Sequence, residues 1–418
     1  MKPVFISEQQ KFPKKVLVIG NYRQTITVIR SLARAGYSVI VGRDDYRVFT
    51  QFSRFTAEVW RHPDIRKSEK DFMATLVKFL ATRPDIAWLF PVGEGDIACL
   101  ARHLDVIPTS VGVVMTDPGT FRTCLDKFRI YEIVSQLGIP QCEYRKVTNR
   151  AGLLSASEEI GYPSVVKPNN ALTGLFGKKA LILKKAADLK RMFPVWPEGN
   201  EFLVLQRFAS GYRHNCHFVA DRGKLLSYFE QRVLRTDRPD DTGYGVDGIA
   251  YAPTAKLKEY CATLAEKLNY SGAGCAQFLV DDRTDSVSFL EINPRLDATC
   301  ALPYYCGYDF PRMAMRYAEY RRGAISIPSE NFSAYPVNKH GIWLVGDMSG
   351  WLRALEGDGL TFQQALDWLK QMAVTWVRGD CHMVWSWTDP LPACYSLIKP
   401  ASDVFYYLAR RVGFSRRG

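Results

Sequence analysis

The chain reads as a mixed α/β and α+β protein, and three observations predict it. A short apolar run ending in glycine, "KKVLVIG" (Lys14 to Gly20), leads into a helical pattern, "TVIRSLARAGY", and then a second apolar run, "SVIVGRDD". Farther along, an apolar strand delivers Lys167 into a loop carrying Gly174 and Gly177 before a second strand, Ala180 to Leu183. Near residue 284, two apolar runs flank the turn-forming stretch Asp281-Asp282-Arg283-Thr284-Asp285-Ser286.

The first of these patterns, strand, helix and strand in order, implies a parallel βαβ unit with a right-handed crossover. The same α/β alternation continues to Ile86–Pro91, a strand running into the loop Val92-Gly93-Glu94-Gly95-Asp96. The first strand is followed by Asn21-Tyr22-Arg23 and lacks the G-x-G-x-x-G that lets a dinucleotide pyrophosphate approach the backbone, which argues against such a cofactor.

Bulk properties bound the rest. With 418 residues, 47% of them apolar, the chain has enough material for two or three domains and a hydrophobic core. Every apolar run is broken before the roughly 18 to 20 residues of a membrane-spanning helix. The N-terminal "MKPVFISEQQKFPKK" has no apolar core or small-residue cleavage site of a signal peptide, so a cytoplasmic location is expected. Ten cysteines without C-x-x-C pairs read as reduced core thiols. His214 and His217 in "YRHNCHF" fall on a strand pattern that points them to opposite faces, which argues against zinc. The net charge of +12 is spread along the chain without a nucleic-acid-binding signature, and nucleotide phosphate is the simplest partner for it.

Asp126 and Lys127 begin a helix whose apolar residues Ile130, Ile133, Val134 and Leu137 recur at helical spacing and which ends at Gly138 and Pro140. Lysine at a helix start runs against the macrodipole. The Lys167 strand and its glycine loop are suited to cover a polyphosphate, with backbone N–H groups and a point charge; a plain hairpin with a solvated lysine is the alternative. "EFLVLQRFASG" is a strand leading into a glycine turn, a suitable rail for the polar edge of a base.

"SFLEINPRLDAT" (Ser288 to Thr299) supplies the polar end of the second hairpin. Pairing symmetric about Thr284 would set Gln277 opposite Glu291, and Asn293, two residues on, projects to the same face. An amide oxygen, a carboxylate and a second amide oxygen are hard donors that suit Mg²⁺, which fills its remaining positions with water and substrate phosphate. Arg295 is placed to reach the same phosphate with two N–H groups.

Taken in order, these motifs resemble the ATP-grasp superfamily, near its carboxylate–amine ligase and carbamoyl-phosphate-synthase-like branch, from about Val16 to about Asp309. The resemblance implies a parallel α/β pre-grasp domain (1–118), an ATP-grasp domain of two α+β subdomains clamping ATP (119–325, lid about 145–205), and a small Trp-rich C-terminal subdomain (326–418). It implies that Lys127, Lys167 and the loop of Gly174 and Gly177 contact nucleotide phosphate, that the hinge Gln206-Arg207-Phe208 binds adenine, and that Gln277, Glu291 and Asn293 hold Mg²⁺, with Mn²⁺ as an alternative ion. Arg207 and Arg213 stand where the family often carries acids, and Asp297 where small residues are common.

The chemistry implied is ATP-dependent activation of a small-molecule carboxylate as an acyl phosphate, which an amine or a thiol then attacks. Positioning and charge neutralisation carry the first step. Arg295 is the candidate for the transferring phosphoryl group, Arg232 in "YFEQRVLRTDRP" for the acceptor carboxylate, and Pro239 to Gly248 for a mobile active-site loop. The second reading is a nucleotide-binding protein without ligase chemistry, acting as a peripheral membrane or scaffold component.

Beyond residue 326 the sequence resembles nothing recognisable. Six of nine tryptophans lie past His340. "TFQQALDWLKQM" has a Thr361/Gln364 capping box with Ala365, Leu369, Met372 and Ala373 on one face. The tail places Val404, Phe405, Leu408 and Val412 on one side of a short helix, with Arg410, Arg411, Arg416 and Arg417 nearby, as for peripheral contact with an anionic membrane; docking on its own domain is the ordinary alternative. The reading involves no nucleic acid and leaves room for a homodimer.

Overall fold

The computed structural model describes residues 14–44, 49–170, 172–357 and 360–411. The first domain holds β1 (Lys15–Ile19), α1 (Arg23–Arg34), β2 (Ser38–Arg43), β3 (Glu58–Arg61), α2 (Glu69–Ala81), β4 (Ile86–Pro91), α3 (Glu94–Arg102) and β5 (Gly112–Val113). Its five strands are all parallel, in the order β3-β2-β1-β4-β5. Both sheet faces are covered, which is why β1 is a continuous apolar run. Val16 and Val18 belong to one core, Leu17 and Ile19 to another.

The turn after β1 is filled by protein. Gly20 has φ +101°, and a Cβ there would come within 2.2 Å of the Asp96 carboxylate. A Cβ on Gly93 would meet the Tyr22 ring at the same distance. The segment Val92 to Asp96 is only partly loop, because α3 begins at Glu94 and Asp96 accepts the Gly93 N–H at 3.0 Å.

Two helices, α4 (Pro118–Leu125) and α5 (Lys127–Gln136), lead to the lid: β6 (Tyr144–Val147), α6 (Arg150–Ile160), β7 (Ser164–Pro168), β8 (Leu181–Leu183), α7 (Ala186–Met192) and β9 (Leu203–Arg207). The sheet order is β6-β9-β7-β8, all antiparallel. Between β7 and β8 the chain makes a tight reversal in which Leu175 and Lys178 exchange both backbone hydrogen bonds at 2.9 Å. Phe176 and Gly177 at its tip have φ +50° and +78°, the positive pair that a type I′ turn demands. The glycine loop is thus a short hairpin finger.

The third and largest sheet contains β10 (Tyr212–Asp221), β11 (Lys224–Thr236), β12 (Gly245–Tyr251), β13 (Gly272–Asp281), β14 (Ser286–Asn293), β15 (His340–Ile342) and β16 (Cys381–His382), ordered β14-β13-β10-β11-β12-β15-β16. Helix α8 (Ala255–Lys267) joins α5 on one face, over Cys216, Phe218, Phe278 and Ile292. The other face presents Val219, Phe229 and Ala250 to α1, α9 (Ala301–Tyr305) and α10 (Phe310–Arg321).

The C-terminal part is not a self-contained subdomain. β15 and β16 extend the large sheet, and Met383, Val384 and Ala393 share a core with Val16 and Ile26 of the first domain. Asp389 accepts from Arg30 Nε (3.0 Å), Ser53 Oγ (2.7 Å) and the Arg54 N–H (2.9 Å). Helix α11 (Leu344–Gly357) binds the β11–β12 region through an Asp347–Arg235 ion pair and Arg353 on Asp237.

Helix α12 (Phe362–Arg378) has the expected capping box, but of its expected apolar face Ala365 is buried and Ala373 is exposed. Helix α13 (Leu391–Arg411) ends the described chain; the side chains of Val404, Phe405, Leu408, Arg410 and Arg411, and residues Val412, Arg416 and Arg417, lie outside the described part. No helix among the described residues is long and apolar enough to cross a membrane.

Candidate functional site

The site assembles where the lid, the start of α5 and the edge of the large sheet meet. Past β7, Asn169 takes the Lys127 N–H on its carbonyl and the Phe128 N–H on its side chain, both at 3.0 Å. That docking brings Lys127 beside Lys167 and leaves each lysine under a tenth exposed. Lys167 Nζ donates to Gln206 Oε1 (2.7 Å) and to the Tyr131 hydroxyl (3.1 Å).

The β13–β14 hairpin places the oxygen donors. Near the turn, Asp281 pairs with Ser286 and Phe278 with Phe289, a register that would set Gln277 opposite Leu290. A bulge between Gln277 and Phe278 takes up one residue, so that Gln277 pairs with Glu291 and Cys275 with Asn293. The hairpin is therefore not symmetric about Thr284 throughout, and the bulge is what brings Gln277 and Glu291 together. Tyr131 donates to the Leu290 carbonyl at 2.9 Å, and Phe289 N–H to the Pro140 carbonyl at 2.7 Å, so the bulge is fixed from α5 and the segment after it.

Glu291 makes no hydrogen bond or ion pair among the described residues, although Lys127, Lys179, Lys167 and Arg213 all act on it. Burial opposes its charge, and those four cations outweigh burial, holding its pKa below the ordinary glutamate value. Burial pushes Lys167 down to about 8, against the pull of Glu291, and lowers Lys127 as well. Three oxygen-bearing side chains with little competition from protein donors, inside a cationic field, fit a hard divalent cation carrying phosphate.

Arg295, its side chain 13% exposed, stands beside this group. It donates to Glu94 Oε1 through Nη2 (2.8 Å) and Nε (3.2 Å), and Nη2 approaches Asn293 Oδ1 at 3.4 Å. Burial works against its charge, but Glu94 and Asp297 more than offset it, so its pKa lies above the ordinary arginine value. Asp297 is buried; His217, Arg295 and the Thr299 hydroxyl and N–H overcome the burial and keep it well below the usual carboxylate range.

Several expected members are placed differently. Arg232 pairs with His214 in the β10–β11 ladder, on the sheet face opposite Gln231 and Asn215; its guanidinium stacks 3.8 Å from the Tyr212 ring centroid and pairs with Asp282. Strand alternation thus takes it away from Gln277 and Glu291, and it is no part of this site. In the hinge, the Gln206 side chain holds Lys167, Arg207 donates its N–H to the Glu143 carbonyl (2.9 Å) and its guanidinium to the Glu143 carboxylate (2.8 Å), and the Phe208 N–H is given to Pro163 (3.2 Å). Two hinge donors expected for adenine are therefore engaged.

The stretch Pro239 to Gly248 is anchored rather than free. Its end is β12, the Tyr244 N–H donates to Asp237 at 2.7 Å, and Arg353 clamps the same aspartate. Lys179, from the lid, lies 4.0 Å from the Tyr244 ring centroid and joins the two sides of the cleft. Lys179, Glu94 and Arg213 were not assigned roles from sequence. Lys179 follows the glycine finger and had a local signal; Glu94, 201 residues from Arg295, had none.

The comparisons with known proteins agree with this architecture. Residues 246–322 match the family model described as carbamoyl-phosphate synthase L chain, ATP binding domain. The chain is 28% identical over 214 residues to the carbamoyl phosphate synthase large chain of Xanthomonas axonopodis pv. citri, covering 48% of this chain but 19% of that protein. Against the C-terminal section of the Methanopyrus kandleri large chain, identity is 26% over 202 residues, 45% of this chain and 36% of that one. Among solved structures, the Campylobacter jejuni biotin carboxylase complex superposes with a TM-score of 0.60 at 17% identity over 78% of this chain and 74% of that chain. Staphylococcus aureus N5-carboxyaminoimidazole synthetase, complexed with ADP, gives 0.59 at 16% over 79% and 81%.

The chain has the ATP-grasp fold: a parallel first sheet, a small antiparallel sheet and a large, mainly antiparallel one. Its β12 to α10 segment is similar to the ATP-binding domain of the carbamoyl-phosphate synthase L chain. Its matched segment spans about a fifth of the full-length large chains.

Proposed function

We propose that the chain is an ADP-forming ATP-grasp ligase that joins a small-molecule carboxylate to an amine. The observation that carries this is Glu291, without a hydrogen bond or ion pair among the described residues, opposite Gln277 and in the field of Lys127, Lys167, Lys179 and Arg213. Such a pocket balances its charge when a triphosphate and a divalent cation enter together.

Gln277, Glu291 and Asn293 would hold Mg²⁺, with Mn²⁺ as a substitute. The ion, when bound, neutralises phosphate charge and polarises the transferring group. Lys127 and Lys167 bind phosphate oxygens, the finger carrying Gly174 and Gly177 closes over them, and the carbonyls of Gln206 to Phe208 face the adenine. Arg295, fixed by Glu94, neutralises charge on the phosphoryl group in flight. A carboxylate oxygen takes the γ-phosphoryl group and ADP leaves. The amine then attacks the acyl carbon, loses a proton, and expels inorganic phosphate to leave an amide. No covalent nucleophile on the protein is needed. A thiol acceptor would give a thioester by the same route, and the cytoplasm supplies all of these reactants.

The experiment is ADP release by the full chain with ATP, Mg²⁺ and pooled carboxylates and amines. Stimulation by one pair, lost in Glu291→Ala, supports the reading. Saturable ATP binding with no pair stimulating ADP release would favour a nucleotide-binding role without ligase chemistry.

A further inference from the structure

Arg295 also forms one wall of a cavity of about 300 Å³ between the first domain and the large-sheet domain. None of Lys127, Lys167, Gln277, Glu291 or Asn293 lines it, so it is separate from the nucleotide cleft. It opens at the carboxyl ends of β4 and β5, where open parallel sheets present ligand crevices. Its size is at the lower end of small-molecule sites, roughly 300 to 1,000 Å³.

The lining is chemically asymmetric. Trp88, Phe90 and Leu296 supply apolar lining, and Arg321 and Arg322, at the end of α10, supply cations, with the Arg322 guanidinium 5.8 Å from the Trp88 ring centroid. Neither arginine forms an ion pair among the described residues: Arg321 donates to the Tyr317 hydroxyl (3.3 Å) and Arg322 to the Thr109 carbonyl (2.5 Å). The one acid in the lining, Asp117, uses a carboxylate oxygen to cap α4, accepting from Gly119 (2.8 Å) and Thr120 (3.1 Å). Buried Thr116 is also in the lining, beside Tyr270, whose hydroxyl donates to the Ala273 carbonyl at 2.8 Å.

We propose that this cavity is a second binding site, for a small organic carboxylate with an apolar body: the body against Trp88 and Phe90, and the carboxylate at Arg321 and Arg322. Because Arg295 belongs to both this wall and the nucleotide site, the ligand lies one side chain from the phosphates.

The test uses the full chain without nucleotide and 4-fluorobenzoate as the probe, followed by fluorine NMR line broadening. Saturable binding is expected, weakened at least tenfold in the double variant Arg321→Ala/Arg322→Ala and abolished in Ala314→Met, which fills the apolar side. Thermal unfolding of each variant establishes that it is folded, and the double variant at the surface keeps the test open should Ala314→Met fail to fold. No saturable binding to the wild type, binding unchanged in the double variant, or equal displacement by inorganic phosphate would each overturn the proposal.

Discussion

The Tyr131 hydroxyl donates to the Leu290 carbonyl at 2.9 Å while accepting from Lys167 Nζ at 3.1 Å, so one side chain ties the phosphate lysine to the bulge that aligns Gln277 with Glu291. Tyr131→Phe removes both bonds from a fully buried position. The expected cost is about 1–3 kcal/mol of stability, from the unsatisfied Leu290 carbonyl. Nucleotide affinity should fall roughly tenfold, the factor that about 1.4 kcal/mol represents. Urea unfolding and ATP titration measure the two effects.

Burial places the Lys167 pKa at about 8, below that of a free lysine. The cation that phosphate needs is therefore present below pH 8 and lost above it. ATP affinity measured on the free protein should be flat from pH 6.5 to 7.5 and fall by about tenfold per pH unit beyond 8, less any rise in the pKa caused by bound phosphate. The same depression means that the unfolded chain binds more protons between pH 8 and the free-lysine value, so this group adds stability as pH rises through that window. A pH-independent affinity up to pH 9.5 would contradict the assignment of Lys167.

Arg295 and Arg232 test the two faces of the sheet. Arg295→Ala should lower ADP release roughly 10²–10³-fold, the range for loss of one donor to a developing charge. Arg232→Ala should change it less than twofold, because its guanidinium is packed on Tyr212 on the opposite face. Steady-state ADP release by the two variants side by side decides it.

Arg30 and Asp389 form a buried pair, at 3.0 Å, that holds the C-terminal region to α1. Asp389→Ala leaves the guanidinium without its counter-ion, and removal of one partner of such a pair costs about 3–5 kcal/mol. A lowered urea midpoint is expected, with Asp389→Asn less severe because its remaining carbonyl oxygen still accepts from one of the Ser53 hydroxyl and the Arg54 N–H.

Much of the site was legible because its signals are local. β4 spans Ile86–Pro91 as expected, and β1 occupies Lys15–Ile19, because continuous apolar runs between turn residues have few other solutions. Lys127 and Lys167 were each weak signals, and their meeting depends on Asn169, which docks the start of α5 on the end of β7. The Gln277–Glu291 pairing was inferred from a symmetric hairpin, whereas the actual register near the turn is one residue different and is corrected by a bulge whose prop, Tyr131, is far off in sequence.

The placement of Arg232 failed for a related reason. In a strand covered on both faces, polar residues occur on each, so neither face is marked as solvent or site. The C-terminal tryptophans suggested a separate unit because composition does not say against what a ring packs; here β15 pairs with β12, Ile342 opposite Asp247, and so joins the large sheet.

The sequence by itself determined the strand and helix segments, the ATP-grasp order of motifs and the donor types at Gln277, Glu291 and Asn293, since periodicity, turn residues and side-chain chemistry are properties of neighbouring residues. Only the tertiary structure decided that four cations converge on Glu291, that Glu94 fixes Arg295, that Arg232 faces away, and that the C-terminal region closes back on the first domain. Those are contacts between distant segments, and their energies depend on burial and register, which no local stretch of chain encodes.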